Sequence, residues 1–117
     1  MIIFIGVLNA STARILTYNL LNYEDENNRE DDYVMILDLV EPDLIIAQEI
    51  IGQTGYSHFQ SDVLDVLEPN IWSSAPFTNQ SAQQDIALYY KSDIFTFIGT
   101  SGSIPLSLLG QEMLLSG

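Results

Sequence analysis

The chain has 117 residues and a formal net charge of −13, from sixteen acidic and three basic residues, and it contains no cysteine. This length corresponds to one small domain or to part of a larger one. Three basic side chains cannot neutralise many phosphates, which argues against tight nucleic-acid binding unless divalent cations intervene. The absence of cysteine excludes disulfides, thiolate metal sites and cysteine nucleophiles.

The N-terminus combines a short apolar run, Ile2–Leu8, with small residues at Ser11 and Ala13. This pattern is typical of an export signal and its cleavage site, although no basic residues precede the run. We therefore predict that residues 1–13 are a clipped signal peptide and that the protein is secreted or periplasmic. The alternative is a buried first strand over Ile2–Val7. The run is too short to form a transmembrane helix.

The next residues predict a strand, a loop and a helix. β-Branched and aromatic residues favour a strand over Arg14–Leu21. The acidic stretch Asn22–Asp32 is expected to be a solvated loop, because blocks of like charge usually stay in water. A helix capped by Asp31 or Asp32 is expected to run to about Val40. Its predicted apolar face consists of Tyr33, Ile36, Leu37 and Val40.

A second strand and a second helix follow. The apolar residues within Leu44–Glu49 favour a strand that is covered on both faces. Gly52–Ser57 is expected to be a loop. The second helix is expected to begin at Ser57 or Gln60 and to end at Pro69. Its predicted apolar face consists of Phe59, Val63, Val66 and Leu67.

Three further strands and an atypical tail complete the chain. Ile71–Ser74 favours a short strand, and Ile86–Tyr90 and Ile94–Gly99 favour a hairpin with a tight turn. The order of elements indicates a layered α/β domain over residues 14–100. The leucines of residues 101–117 have neither alternating nor helical spacing, and we predict a truncation or a change of reading frame there.

Two polar residues, Asn19 and Glu49, lie at or near the ends of the first two strands of this domain. Ligands gather at the carboxyl ends of parallel strands in open α/β sheets. A carboxylate and an amide oxygen are hard ligands that suit Mg²⁺, Mn²⁺ or Ca²⁺. The same residues are also common as ordinary hydrogen-bonded groups at strand ends, so position alone leaves both interpretations open.

Three segments of the chain have the form of short sequence motifs: Arg14–Asn22 (RILTYNLLN), Pro42–Glu49 (PDLIIAQE) and Asp85–Asp93 (DIALYYKSD). They resemble motifs of the endonuclease/exonuclease/phosphatase superfamily, which includes deoxyribonucleases, inositol polyphosphate phosphatases and sphingomyelinases. The resemblance covers about Arg14–Gly99. It implies a partial four-layered α/β sandwich that corresponds to the N-terminal half of that fold.

The resemblance also implies a divalent-metal-dependent phosphoesterase, with Mg²⁺ (or Mn²⁺ or Ca²⁺) as the cofactor. Glu49 would be a direct metal ligand, and Asn19 would bind the metal directly or through water. The substrate would be a phosphate ester, whether nucleic acid, inositol phosphate or phospholipid. The metal would act as a Lewis acid while a His–Asp pair activates the attacking water.

The chain departs from the family pattern after Gly99, where the catalytic histidine, the Asp-x-Asn segment and the closing Asp-His have no counterpart. The only histidine, His58, is expected to lie in a loop as an exposed or capping residue. We therefore expect a fragment that is inactive alone. One alternative is a non-catalytic binding module of a secreted acidic protein, with Glu49 in a structural role. Another is a complete small α/β domain.

Overall fold

The computed structural model describes residues 2–7, 12–24, 28–77 and 85–101. The strands are β1 (Ile2–Val7), β2 (Ile15–Tyr23), β3 (Leu44–Ile50), β4 (Trp72–Ser74), β5 (Asp85–Lys91) and β6 (Phe95–Ser101). The first helix is α1 (Glu30–Val40). The second helical segment consists of α2 (Gly52–Phe59), a π-helical stretch (Gln60–Leu64) and a final turn, α3 (Asp65–Leu67). This content confirms the prediction of an α/β fold.

Four strands form one sheet in the order β2-β3-β5-β4, and β1 and β6 form a separate pair. β2 and β3 are parallel, with α1 in the connection between them, and β5 is antiparallel to β3 and β4. The parallel register places Ile15 opposite Leu44 and Asn19 opposite Gln48. The two predicted site residues therefore lie on neighbouring strands.

Both faces of the central strand β3 are covered, as its apolar run predicts. Ile45 and Ile50 are fully buried in the cluster that includes the helices. Leu44 and Ile46 pack in a second cluster, together with Phe95 of β6. The described residues thus place the helices on one face of the four-stranded sheet and the β1–β6 pair on the other.

The prediction of a hairpin between the last two strands is wrong, although both strands form. β5 pairs with β3 and β4, whereas β6 pairs with β1. Ser92, in the turn between them, donates its main-chain N–H to the carbonyl of Ile71 rather than closing a two-stranded ribbon. The chain leaves one sheet for the other because Phe95 is buried there against Leu44 and Tyr90.

β1 occupies the span that the alternative interpretation of the N-terminus predicts. It pairs with β6 from Ile2 to Val7, and Ile5 packs against the cluster that contains Phe95. The signal-peptide interpretation of residues 1–13 concerns processing and stays a prediction. Among the described residues, no helix is long and apolar enough to cross a membrane. Of the tail predicted over residues 101–117, Ser101 is the last residue of β6, and residues 102–117 lie outside the described residues.

The predicted cap of α1 is wrong. Arg29 occupies the N-cap position, without a capping hydrogen bond from its side chain, and Asp31 and Asp32 lie in the first turn. Carboxylates in a first turn still stabilise a helix through its dipole, which accounts for the acidic start. Leu37 is fully buried as predicted, whereas Ile36 is 38% exposed and lies outside the buried face.

The prediction of a loop over Gly52–Ser57, with a later helix start at Ser57 or Gln60, is also wrong. α2 begins directly after β3. The two glycines of this segment serve the start of this helix. Gly52 has a φ of 63°, which favours glycine. Gly55 lies where an added Cβ would be 2.5 Å from a main-chain carbonyl of β2.

His58 consequently lies on α2, not in the predicted loop. Its Nδ1 is 3.0 Å from the carboxylate of Asp62 one turn later, in a pair that is partly exposed. Phe59 and Val63 are fully buried, as the predicted apolar face requires. Val66 is 62% exposed, so this residue does not belong to that face.

Tyr89 and Tyr90 pack in different clusters on opposite faces of β5. The Tyr89 side chain is fully buried, and its hydroxyl donates to the carbonyl of Tyr56 at 2.7 Å. Burial raises the pKa of Tyr89 well above its usual value, and the neighbouring Tyr56 and Tyr23 add to this effect. The folded state therefore stabilises the neutral phenol.

Stability is accordingly expected to fall as the pH rises above about 10, where the unfolded chain loses this proton and the folded chain keeps it. Below that pH Tyr89 is protonated in both the folded and the unfolded chain, so its ionisation does not change stability. Tyr89→Phe is expected to cost about 1 kcal/mol at neutral pH through the lost hydrogen bond, yet to make the alkaline decline shallower. Urea unfolding across the alkaline range measures both effects. Equal alkaline slopes in the two proteins would contradict the assignment.

Candidate functional site

β2 and β3 bring Asn19 and Glu49 to the same end of two neighbouring parallel strands. Asn19 lies opposite Gln48, so Glu49 is one residue beyond this pair. The two residues therefore lie on adjacent strands, which in a sheet are roughly 4.8 Å apart. The Asn19 side chain is exposed and the Glu49 side chain is partly buried. A ligand could therefore approach both from solvent.

The backbone of both strands is irregular at this level. The β2–β3 register shifts between Asn19 and Tyr23, so that three residues of β2 lie opposite Glu49 alone. Leu21, Asn22 and Glu49 have φ values of 56°, 59° and 58°. Residues other than glycine rarely adopt this left-handed region, at a cost on the order of 1–3 kcal/mol each. Bulges and strained residues of this kind concentrate at functional sites.

The pairing of β3 with its other neighbour, β5, is irregular at the same level. Ala47 lies opposite Ala87 and Ile50 opposite Asp85, with a register shift between the two pairs. Glu49 thus lies opposite a bulge of β2 and within a bulge of β3 relative to β5. Asp85 is 2% exposed, a buried carboxyl group at the adjacent end of β5. Asp85 was predicted only as part of a motif, although an acidic residue that opens an apolar strand was a usable signal.

Hydrogen bonds hold the irregular end of β2 in place. The Asn19 side-chain oxygen accepts the main-chain N–H of Leu21 at 2.8 Å. Arg29 Nη1 donates to the carbonyls of Leu20 and Leu21 at 2.8 and 2.9 Å. The Tyr33 hydroxyl donates to the Leu20 carbonyl at 2.7 Å. Arg29 was missed in the sequence, because its acidic surroundings were interpreted as a solvated loop.

The donor set at this strand end suits a magnesium-like ion. Within the part of the chain that the structure describes, no group of three or more His, Cys, Asp or Glu residues is placed to hold a metal. Magnesium, however, typically uses only one or two carboxylates and fills its other positions with water and substrate phosphate. Glu49 and Asn19 supply one carboxylate and one amide oxygen, which fits this pattern.

A cleft of about 700 Å³ lies at the opposite end of the sheet, away from the predicted site. Arg14, Asp43, Glu68 and Lys91 are among the residues that line it. Lys91 Nζ lies 3.3 Å from the Glu68 carboxylate and 3.7 Å from that of Asp43. The main-chain N–H of Arg14 donates to Asp43 at 2.8 Å. These contacts join the helical layer to the sheet, so we interpret this cluster as structural.

Comparison of the chain with protein-family models, with curated proteins and with solved structures gives no match. The fold and the candidate site define the class of protein as a mixed α/β domain with a polar, irregular strand end. Any narrower class depends on the chemistry of Asn19 and Glu49.

Proposed function

We propose that this chain contributes Asn19 and Glu49 to the active site of a divalent-metal-dependent phosphoesterase of the endonuclease/exonuclease/phosphatase type. The observation that supports the proposal most strongly is the side-by-side placement of these residues where the register and the backbone of β2 and β3 are irregular. The helical layer and the β1–β6 pair on opposite faces of the sheet are compatible with part of a four-layered sandwich. That architecture is part of the proposal.

In this proposal Glu49 binds Mg²⁺ (or Mn²⁺ or Ca²⁺) directly, and Asn19 binds it directly or through water. The bound metal would polarise the phosphate of the substrate. The Asn19 oxygen already accepts the Leu21 N–H, so the orientation of its amide is set before any ligand arrives. A second lone pair on that oxygen and the two amide protons remain suited to an ion and a phosphate oxygen.

The charge of −13 supports a role for metal in phosphate recognition, because only three basic side chains exist in the chain. Two of them, Arg14 and Lys91, line the cleft at the opposite end of the sheet. The proposed substrate is accordingly a phosphate ester that binds the site through the metal ion, whether nucleic acid, inositol phosphate or phospholipid. The signal-like N-terminus supports a secreted or periplasmic location.

The test is a calorimetric titration of the chain with Mn²⁺ and with Mg²⁺. Glu49→Gln is expected to weaken binding at least about tenfold, since it removes the only carboxylate of the pair. Glu41→Gln is the matched control: Glu41 has a φ of 53° and lines the cleft at the far end of the sheet. Its affinity is expected to stay within about twofold of the original chain.

Equal affinities in Glu49→Gln and the original chain would contradict the metal site. That outcome would favour the alternative of a non-catalytic binding module, in which Glu49 has a structural role. Equal losses in Glu49→Gln and Glu41→Gln would also contradict it, because they would indicate a diffuse effect of charge.

A further inference from the structure

Arg29 is one of the three basic residues of the chain, and it lies at the irregular end of β2. Its Nη1 donates to two successive main-chain carbonyls, those of Leu20 and Leu21. Its guanidinium also lies 5.8 Å from the ring centroid of Tyr23 and 5.9 Å from that of Tyr33. The group is therefore held from two directions, by carbonyl oxygens and by aromatic faces.

These contacts connect Arg29 to Asn19 through a single residue. The carbonyl of Leu21 accepts from Arg29, while the N–H of Leu21 donates to the side-chain oxygen of Asn19. Leu21 adopts a φ of 56°, which leucine rarely does. Hydrogen bonds from a charged donor are roughly twice as strong as neutral ones, so Arg29 offsets the cost of this conformation.

We propose that Arg29 is a positioning residue that orients the Asn19 amide by holding Leu21 in the left-handed conformation. This inference rests on the proposed function only in its consequence for metal binding. Its structural part, the link from Arg29 through Leu21 to Asn19, is independent of any ligand.

A purely electrostatic role for Arg29 predicts the opposite result. A cation near a cation site weakens metal binding by repulsion, so removing its charge would tighten binding. A positioning role predicts weaker binding on the same substitution, because the Asn19 oxygen loses its orientation. The sign of the change therefore separates the two roles.

The experiment uses Arg29→Met, which keeps a straight apolar stem against the rings of Tyr23 and Tyr33 and removes the donors. Arg14→Met is the matched control. Arg14 also donates from Nη1 to a main-chain carbonyl, that of Val40, but it lies at the opposite end of the sheet. Mn²⁺ affinity is expected to fall about tenfold in Arg29→Met and to change by less than about twofold in Arg14→Met. If the original chain binds Mn²⁺, unchanged or tighter binding in Arg29→Met would overturn the inference.

Amide hydrogen exchange without metal supplies a second readout. The Leu21 N–H is expected to exchange at least about threefold faster in Arg29→Met, because its bond to Asn19 loosens. The Ile51 N–H, which donates to the Tyr23 carbonyl nearby, is expected to keep its protection. Unchanged exchange at Leu21 would overturn the inference whether or not metal binds.

The two readouts also separate the inference from the proposed function. If the original chain binds no Mn²⁺ but exchange at Leu21 accelerates in Arg29→Met, the proposed function fails and the positioning of Asn19 stands. If Arg29→Met does not fold, Arg29→Lys replaces it, because lysine keeps the charge but not the planar group over Tyr23. A purely electrostatic role then predicts unchanged Mn²⁺ affinity, because the charge is kept, whereas the positioning role predicts weaker binding and faster exchange at Leu21. Unchanged binding and exchange in Arg29→Lys would overturn the inference.

Discussion

Gly55→Ala is expected to lower the free energy of unfolding by about 1–3 kcal/mol, although alanine is the better helix former. A Cβ at this position would lie 2.5 Å from the Tyr23 carbonyl oxygen and 3.2 Å from the Ile50 side chain. The Tyr23 carbonyl also accepts the N–H of Ile51 at 2.8 Å, so it cannot move without breaking that bond. The start of α2 would have to lift away from the end of β2.

Gly99→Ala is the matched control, because a Cβ added there meets no atom of the described residues within 4 Å. Glycine within a strand costs roughly 0.5–1 kcal/mol relative to alanine, so this variant is expected to be neutral or slightly more stable. Urea unfolding of both variants, compared at equal m-values, gives the two changes. A gain of stability in Gly55→Ala would mean that helix propensity outweighs the close approach.

The close approach at Gly55 also bears on the candidate site. Glu49 precedes α2 by only three residues, and the Ile51 N–H joins this connection to the end of β2. A helix displaced from Tyr23 would therefore pull on the left-handed backbone of Glu49. For this reason Gly55, which lies in the segment predicted as a loop, is expected to help position Glu49.

The strands could be predicted because the burial of a strand is reflected in its local pattern of apolar residues. The apolar run of Leu44–Glu49 implied a strand covered on both faces, and Ile45 and Leu44 do pack in different clusters. The placement of Asn19 beside Glu49 followed from two parallel strands that end at the same level. Patterns of this kind depend on local periodicity, which a single sequence carries.

The remaining features depend on contacts between residues that are distant in the sequence. Such contacts are not visible in the local residue pattern. The partners of β6 are set by the burial of Phe95 against Leu44, far away in the sequence. The left-handed conformation of Leu21 is imposed by Arg29, and leucine itself does not favour it. The role of Gly55 is set by the Tyr23 carbonyl. In each case tertiary structure overrides local preference.

Phe59→Ala is expected to have the largest effect on stability, about 3–5 kcal/mol. The Phe59 side chain is fully buried. Its ring centroid lies 5.9 Å from that of Tyr23, 5.7 Å from that of Tyr33 and 5.3 Å from that of Tyr89. These partners belong to β2, α1 and β5, so the substitution leaves a cavity where three elements meet. A loss of this size is a large fraction of the stability of a small domain.

Phe59→Leu separates the loss of volume from the loss of ring contacts. Leucine fills most of the space but makes no edge-to-face contact, so its cost is expected to be roughly 1–2 kcal/mol. Urea unfolding measures both variants. If Phe59→Ala lowers stability no more than Phe59→Leu does, the surrounding residues have collapsed into the cavity. The ring contacts of Phe59 then do not hold the helices on the sheet. If alanine costs clearly more, Phe59 couples α2 to the strand that carries Asn19, because Tyr23 ends that strand.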